Sequence, residues 1–125
     1  MNREIVSTSK APAAVGPYSQ AVKAGDFLFA SGQIPLDPST GEITGDSIEE
    51  QTVRVCENIN EVLKEAGLSF DNVVKTTCFL ADMKYFGAFN EIYGKYFKNN
   101  PARSCVAVKE IPRGALCEIE IIAVF

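Results

Sequence analysis

Residues 47–67 read SIEEQTVRVCENINEVLKEAG, and their periodicity sets the class of fold. Val55, Cys56, Ile59, Val62, Leu63 and Ala66 recur at three- and four-residue spacing, which lines one face of an α-helix running from about Ile48 to Ala66. Ser47 stands three residues before Glu50, the pattern of a capping box, and Gly67 supplies the left-handed residue that often ends a helix. Both ends are therefore marked, and the segment is an amphipathic helix that must lay its apolar stripe on something flat.

Working outward, a second helix is expected from about Met83 to Phe97, with Asp82 as its N-cap. Its apolar stripe is Phe86, Phe89, Tyr93, Tyr96 and Phe97, and it stops at Asn99, Asn100 and Pro101. The rings read as core. Asn90 lies beside the stripe, four residues after Phe86, so it faces either a pocket or partner, or solvent at the helix edge.

The remaining chain carries strand signals at Gln20–Lys23, Phe27–Ser31, Val73–Leu80, Ser104–Val108 and Cys117–Val124, separated by turns rich in Gly, Pro and Asp. The order is strand, strand, helix, strand, helix, strand, strand. It predicts an α+β fold with a single mixed β-sheet, and right-handed crossovers put both helices on one face. In the last strand Cys117, Ile119, Ile121 and Ala123 alternate with Glu118, Glu120, Ile122 and Val124. The first set suits the helix side. The second is too charged at its start for a core and too apolar at its end for open water, which points to a face shared between subunits.

The chain of 125 residues is long enough for one domain with one core, spanning 1–125, and too short for two. No stretch has the apolar length of a membrane span and the first twenty residues lack a signal-peptide core, so a cytoplasmic protein with no membrane association is expected. Cys56, Cys78, Cys105 and Cys117 are scattered within apolar segments, where a thiol acts as a small hydrophobe, and no disulfide framework is expected. A net charge of −4 with no Lys/Arg cluster argues against nucleic acid as a partner. Without histidine, Ser-His and Cys-His pairs are excluded, and no CxxC pair or carboxylate cluster suggests a metal.

Chemistry must therefore come from other groups, and PARSCVAVKEIPRGALCEIE (101–120) is the informative stretch. Arg103 opens a strand with a planar fork suited to a carboxylate; the alternative is an ion pair with Glu118 or Glu120. Those two glutamates share a strand face, where either acts as proton acceptor for a water if partly desolvated, or is simply solvated or paired. Tyr18, after the Gly16-Pro17 turn, either walls a pocket or covers the core. Ser31 and Gly32 follow an apolar strand and mark either exposed backbone groups or an ordinary turn or bulge. Cys105 has no adjacent base to activate it, so its side chain reads as packing, while its backbone N–H could help hold an anion.

With these residues in view, the chain resembles the Rid/YjgF deaminases, formerly called L-PSP endoribonucleases. The likeness covers essentially the whole chain, through GPYSQA (Gly16–Ala21), ASGQIP (Ala30–Pro35), ENINEVLKEAG (Glu57–Gly67), the FNEIYGKYF run (Phe89–Phe97), and PARSCV (Pro101–Val106) with the spaced Glu118-Ile119-Glu120. The resemblance implies a chorismate-mutase-like fold assembled as a homotrimer with three equivalent intersubunit clefts. It places Arg103, Glu118, Tyr18 and Cys105 in the catalytic set, and Ser31, Gly32 and Asn90 with Arg103, Cys105 and Tyr18 around the substrate.

The implied activity is metal-independent and cofactor-free hydrolysis of 2-iminobutanoate and 2-iminopropanoate to 2-oxo acids and ammonia. Those imino acids arise from pyridoxal-phosphate dehydratases acting on threonine and serine, a functional link rather than a binding partner. Two other readings compete: a non-catalytic trimer that binds small carboxylic acids or acts like a chaperone, and the endoribonuclease of the older family name, which this acidic chain supports poorly.

Overall fold

The computed structural model describes residues 2–125. Strands β1 (Arg3–Val6), β2 (Ala21–Ala24), β3 (Phe27–Gln33), β4 (Val73–Leu80), β5 (Ala102–Ala107) and β6 (Cys117–Val124) form one sheet in the order β1-β2-β3-β6-β4-β5. All neighbouring pairs are antiparallel except β4 and β5, which run parallel with Thr76 opposite Arg103 and Cys78 opposite Cys105. Helices α1 (Ile48–Glu65) and α2 (Phe86–Tyr96) complete the α+β layer expected from the sequence.

Helix α1 begins and ends as its sequence dictates. The Ser47 side chain accepts a hydrogen bond from the Glu50 N–H at 3.1 Å, and the Ser47 N–H donates to Glu50 Oε1 at 3.4 Å. At the other end Gly67 has φ 78°, and the Gly67 and Leu68 N–H groups donate to the carbonyls of Lys64 and Leu63 at 2.9 and 2.8 Å, a Schellman closure. Buried Asn58 then ties the loop after β3 to the helix, donating from Nδ2 to the Ile34 and Leu36 carbonyls at 3.3 and 3.0 Å.

Val55, Cys56, Ile59, Val62 and Leu63 of α1 share one core with Phe89, Tyr93 and Phe97 at α2, and with Cys117, Ile119, Ile121 and Ala123 of β6. The helix-facing set of β6 is the one its alternation predicts. On the other face Glu118, Ile122 and Val124 are only half-buried and Glu120 is exposed. Phe27 and Phe29 flank Val124 and Ile122 there, 44% and 46% exposed with ring centroids 6.0 Å apart, so this uncovered face is more apolar than β6 alone suggests.

Three expectations need correction, and one strand is added to them. The second helix does not start at Met83: the Asp82 carboxylate accepts from the Lys84 N–H at 2.8 Å and closes a 3-10 turn over Met83–Tyr85, and α-helical bonding begins at Phe86. Strand β5 starts at Ala102, not Ser104, because its parallel pairing with β4 reaches back to Lys75. Strand β3 continues through Ser31 to Gln33, across a register shift between Ala30 and Gln33. Strand β1 was not anticipated; its REIV sequence is short and its Ile5 is 65% exposed, so it lacks the buried alternation that announces a strand.

Candidate functional site

The fold sorts the candidate residues into two groups on opposite faces of the sheet. The first lies on the helix side of β5. Parallel pairing with β4 points Arg103 and Cys105 toward α2, and Arg103 Nη1 donates to Asn90 Oδ1 at 2.7 Å. Its guanidinium carbon lies 4.9 Å from the Tyr93 ring centroid and 5.5 Å from that of Phe86. Phe86, Asn90 and Tyr93 are one helical face, spaced i, i+4, i+7.

The ion-pair alternative for Arg103 does not hold within the chain. Its guanidinium is met by an amide oxygen and two rings, not a carboxylate, and the ion pairs among the described residues are Lys64–Glu61 and Arg113–Glu42, each at 3.8 Å. A half-buried guanidinium held this way keeps donors free for an anion. Burial pushes the Cys105 thiol up despite neighbouring Arg103, so it is protonated near neutral pH and poorly suited to nucleophilic attack.

The second group lies on the uncovered face, at the junction of β3 and β6. Ser31 and Gly32 occupy the irregularity in the β3–β6 pairing. The Ser31 N–H donates to the Gln20 carbonyl at 2.9 Å and its Oγ to the Ser19 carbonyl at 2.6 Å, which holds the Tyr18 segment beside β3. Tyr18 is 53% exposed, and with Ser19, Phe29, Ser31 and Glu120 it lines an open hollow of about 550 Å³.

Glu118 folds its side chain over Gly32. A Cβ at Gly32 would come within 2.9 Å of Glu118 Cδ and 3.1 Å of its Cγ, so only glycine leaves room for the carboxylate in this position. Gly32 is needed here for space; its backbone is not left-handed. Burial, and secondarily the charge of Glu120, raises the Glu118 pKa above the ordinary carboxylate value. A partly desolvated carboxylate of raised pKa is suited to accept a proton.

The two groups do not meet within one chain. Strand β4 separates β5 from β6, with Phe79 opposite both Val106 and Glu118, and Arg103 points to the helices while Glu118 points away. One small molecule cannot touch both side chains of the same subunit.

Sequence reasoning took the α2 rings as core and missed that Phe86 and Tyr93 also back Arg103; the signal was Asn90 sitting between them in the same stripe. It also gave Gln20 no role. Buried Gln20 accepts from the Thr8 N–H at 2.7 Å and donates to the Thr8 and Pro12 carbonyls at 3.0 and 2.8 Å, anchoring the loop that leads to Tyr18. Among the described residues no helix is long and apolar enough to cross a membrane, and no group of three or more Cys, Asp or Glu stands close enough to hold a metal ion.

The family model described as Endoribonuclease L-PSP matches residues 8–125. A RutC family protein from Saccharolobus solfataricus is 55% identical over 122 residues, covering 97% of each chain. The 2-iminobutanoate/2-iminopropanoate deaminase of Mus musculus is 50% identical over 123 residues, covering 98% of this chain and 91% of its own. The crystal structure of E. coli TdcF with bound serine is similar with a TM-score of 0.92 at 41% identity, covering 98% of both chains.

Proposed function

The chain belongs to the Rid/YjgF family, of the endoribonuclease L-PSP type, and from that premise we propose that it is a deaminase that hydrolyses 2-imino acids such as 2-iminobutanoate and 2-iminopropanoate. The observation that carries this reading is Arg103: a half-buried guanidinium with no carboxylate partner, seated on two rings and steered by Asn90. That is a receptor for a small planar carboxylate.

In this reading the active unit is a homotrimer in which Arg103 of one subunit faces Glu118, Gly32, Ser31 and Tyr18 of its neighbour. The opposed faces of the sheet support it, since assembly alone can bring the two groups to one molecule, and the apolar Phe27, Phe29, Ile122 and Val124 give the uncovered face a reason to associate. Arg103 holds the substrate carboxylate through two hydrogen bonds, and the Cys105 N–H adds a donor. Tyr18 closes the side of the cleft and Ser31 keeps its segment in place.

The protonated imine carbon is already electrophilic, so orientation and one proton acceptor suffice. Glu118 accepts a proton as water oxygen bonds to the imine carbon and the C=N π pair moves to nitrogen. The proton then passes to the amino group of the carbinolamine. The C–N bond breaks, ammonia leaves, and the hydroxyl proton is lost to form the 2-oxo acid. No cofactor is required. A cytoplasmic protein with this activity would clear the unstable products of pyridoxal-phosphate dehydratases acting on threonine and serine.

Adding the protein to a threonine dehydratase reaction is expected to accelerate ammonia release above the spontaneous rate. An unchanged rate, with a small carboxylic acid still bound, would leave a binding protein instead of an enzyme.

A further inference from the structure

The residues beneath Arg103 are themselves organised. The Tyr93 hydroxyl and the Thr76 hydroxyl share a buried hydrogen bond of 2.7 Å, and Thr76 is the β4 residue directly opposite Arg103. The Tyr93 ring stacks on Phe97, with centroids 4.4 Å apart and planes 25° from parallel, and meets the Phe89 ring at 5.7 Å. Tyr93 is therefore held at its hydroxyl and packed against two rings, and it is 8% exposed.

Above it the guanidinium lies 4.9 Å from the ring centroid, with Phe86 at 5.5 Å and Asn90 gripping Nη1. A long side chain of high rotamer freedom thus has its charged end located by an aromatic surface and one side bond. Neither of those contacts offers a carboxylate.

We propose that Tyr93, packed on Phe97 and Phe89, and Phe86 beside it are positioning residues that hold the Arg103 guanidinium so that its free edge receives a planar carboxylate. This rests on the carboxylate-clamp reading of Arg103. The ring is the acting part of Tyr93; its packing on Phe97 and Phe89 locates it, and the hydroxyl bond to Thr76 only adds to that. Losing the ring lets the guanidinium swing, so binding has to order it again; losing the hydroxyl alone leaves the platform in place.

The probe is 2-oxobutanoate, the product of the proposed reaction, titrated calorimetrically into the assembled protein so that affinity is read per folded subunit. Tyr93→Leu is expected to weaken binding roughly tenfold, the scale of a partly desolvated cation–π contact, while Tyr93→Phe stays within about threefold of the native protein. In an Arg103→Lys background, adding Tyr93→Leu is expected to cost less than about threefold more, since the residue acts through the guanidinium. A structural role would lower thermal stability in Tyr93→Leu without this dependence on residue 103.

Should Tyr93→Leu fail to fold, Phe86→Leu on the more open side of the guanidinium is expected to weaken binding about threefold or more. Native affinity in a folded Tyr93→Leu or Phe86→Leu protein, or full multiplication of the Tyr93→Leu and Arg103→Lys losses, overturns the positioning role while the clamp stands. Failure of the native protein to bind 2-oxobutanoate overturns the clamp and the positioning role together.

Discussion

Arg103→Lys is expected to give a folded, still assembled protein whose deaminase activity against a dehydratase-generated imine falls at least about tenfold. The substitution keeps the charge and removes the fork. Lysine presents a point donor on a flexible stem and cannot form two parallel bonds to a carboxylate. It also loses the flat stacking surface that Tyr93 and Phe86 support, and the bond from Nη1 to Asn90 has no geometric equivalent. The substrate can then tilt from the attacking water, and a displacement near 1 Å costs on the order of a hundredfold. A modest loss of stability is expected from the Asn90 bond and the ring contacts, with no ion pair broken. Full activity in Arg103→Lys at matched protein concentration would return Arg103 to a packing role.

Glu118→Gln is expected to act on turnover. The amide keeps the shape that Gly32 accommodates, so 2-oxobutanoate still binds, while kcat drops on the order of a hundredfold with the loss of the proton acceptor. The pH profile gives an independent reading. Because burial and Glu120 raise the Glu118 pKa, the ionised base is lost at a higher pH than for an ordinary carboxylate as the solution is acidified. In the assembled cleft the neighbour's Arg103 opposes that rise, so the diagnostic result is an acid limb in kcat/KM that disappears from the residual activity of Glu118→Gln.

Stability follows the opposite course. A raised pKa means that the folded protein holds the Glu118 proton more tightly than the unfolded chain. For the subunit on its own, the stabilisation from Glu118 is present below its unfolded pKa and is lost as pH rises through the folded one, so Glu118→Gln should flatten that part of the profile of dissociated subunits. Unchanged turnover would remove Glu118 from the mechanism and make Glu120 the next residue to test.

How much could be read in advance depended on the range of the signal. The ends of α1 were legible because Ser47, Glu50 and Gly67 act within a few residues of one another. The two faces of β6 were legible because Cys117, Ile119, Ile121 and Ala123 alternate strictly with more polar neighbours. β1 was not, since an exposed four-residue edge strand has no buried face to advertise. The 3-10 entry to α2 was missed because an Asp at the N-cap position serves either kind of turn, and its hydrogen bond to Lys84 is settled only by the folded geometry.

The site divides the same way. Arg103, Glu118, Tyr18, Ser31 and Gly32 stood out singly, by residue type and by resemblance, but their relation required the strand order. The parallel β4–β5 pair inserts β4 between Arg103 and Glu118, and no local pattern states which strands are neighbours. Asn90 as the partner of Arg103 was half visible, since it shares a helical face with Phe86 and Tyr93. The sheet's opposed faces then make the central claim testable: a complete site takes Arg103 from one subunit and Glu118 from another.

Subunit mixing tests that claim most directly. Arg103→Lys and Glu118→Gln proteins, each at least about tenfold less active than the native protein, are unfolded together in equal amounts and refolded into mixed assemblies, and ammonia release is measured. Random mixing of cyclic assemblies pairs an intact Arg103 with a neighbour's intact Glu118 in about a quarter of the clefts, so activity near a quarter of the native level is expected. Mixed assemblies no more active than the two variants assayed separately would show that both residues act within one subunit, or not together at all, and would contradict the account.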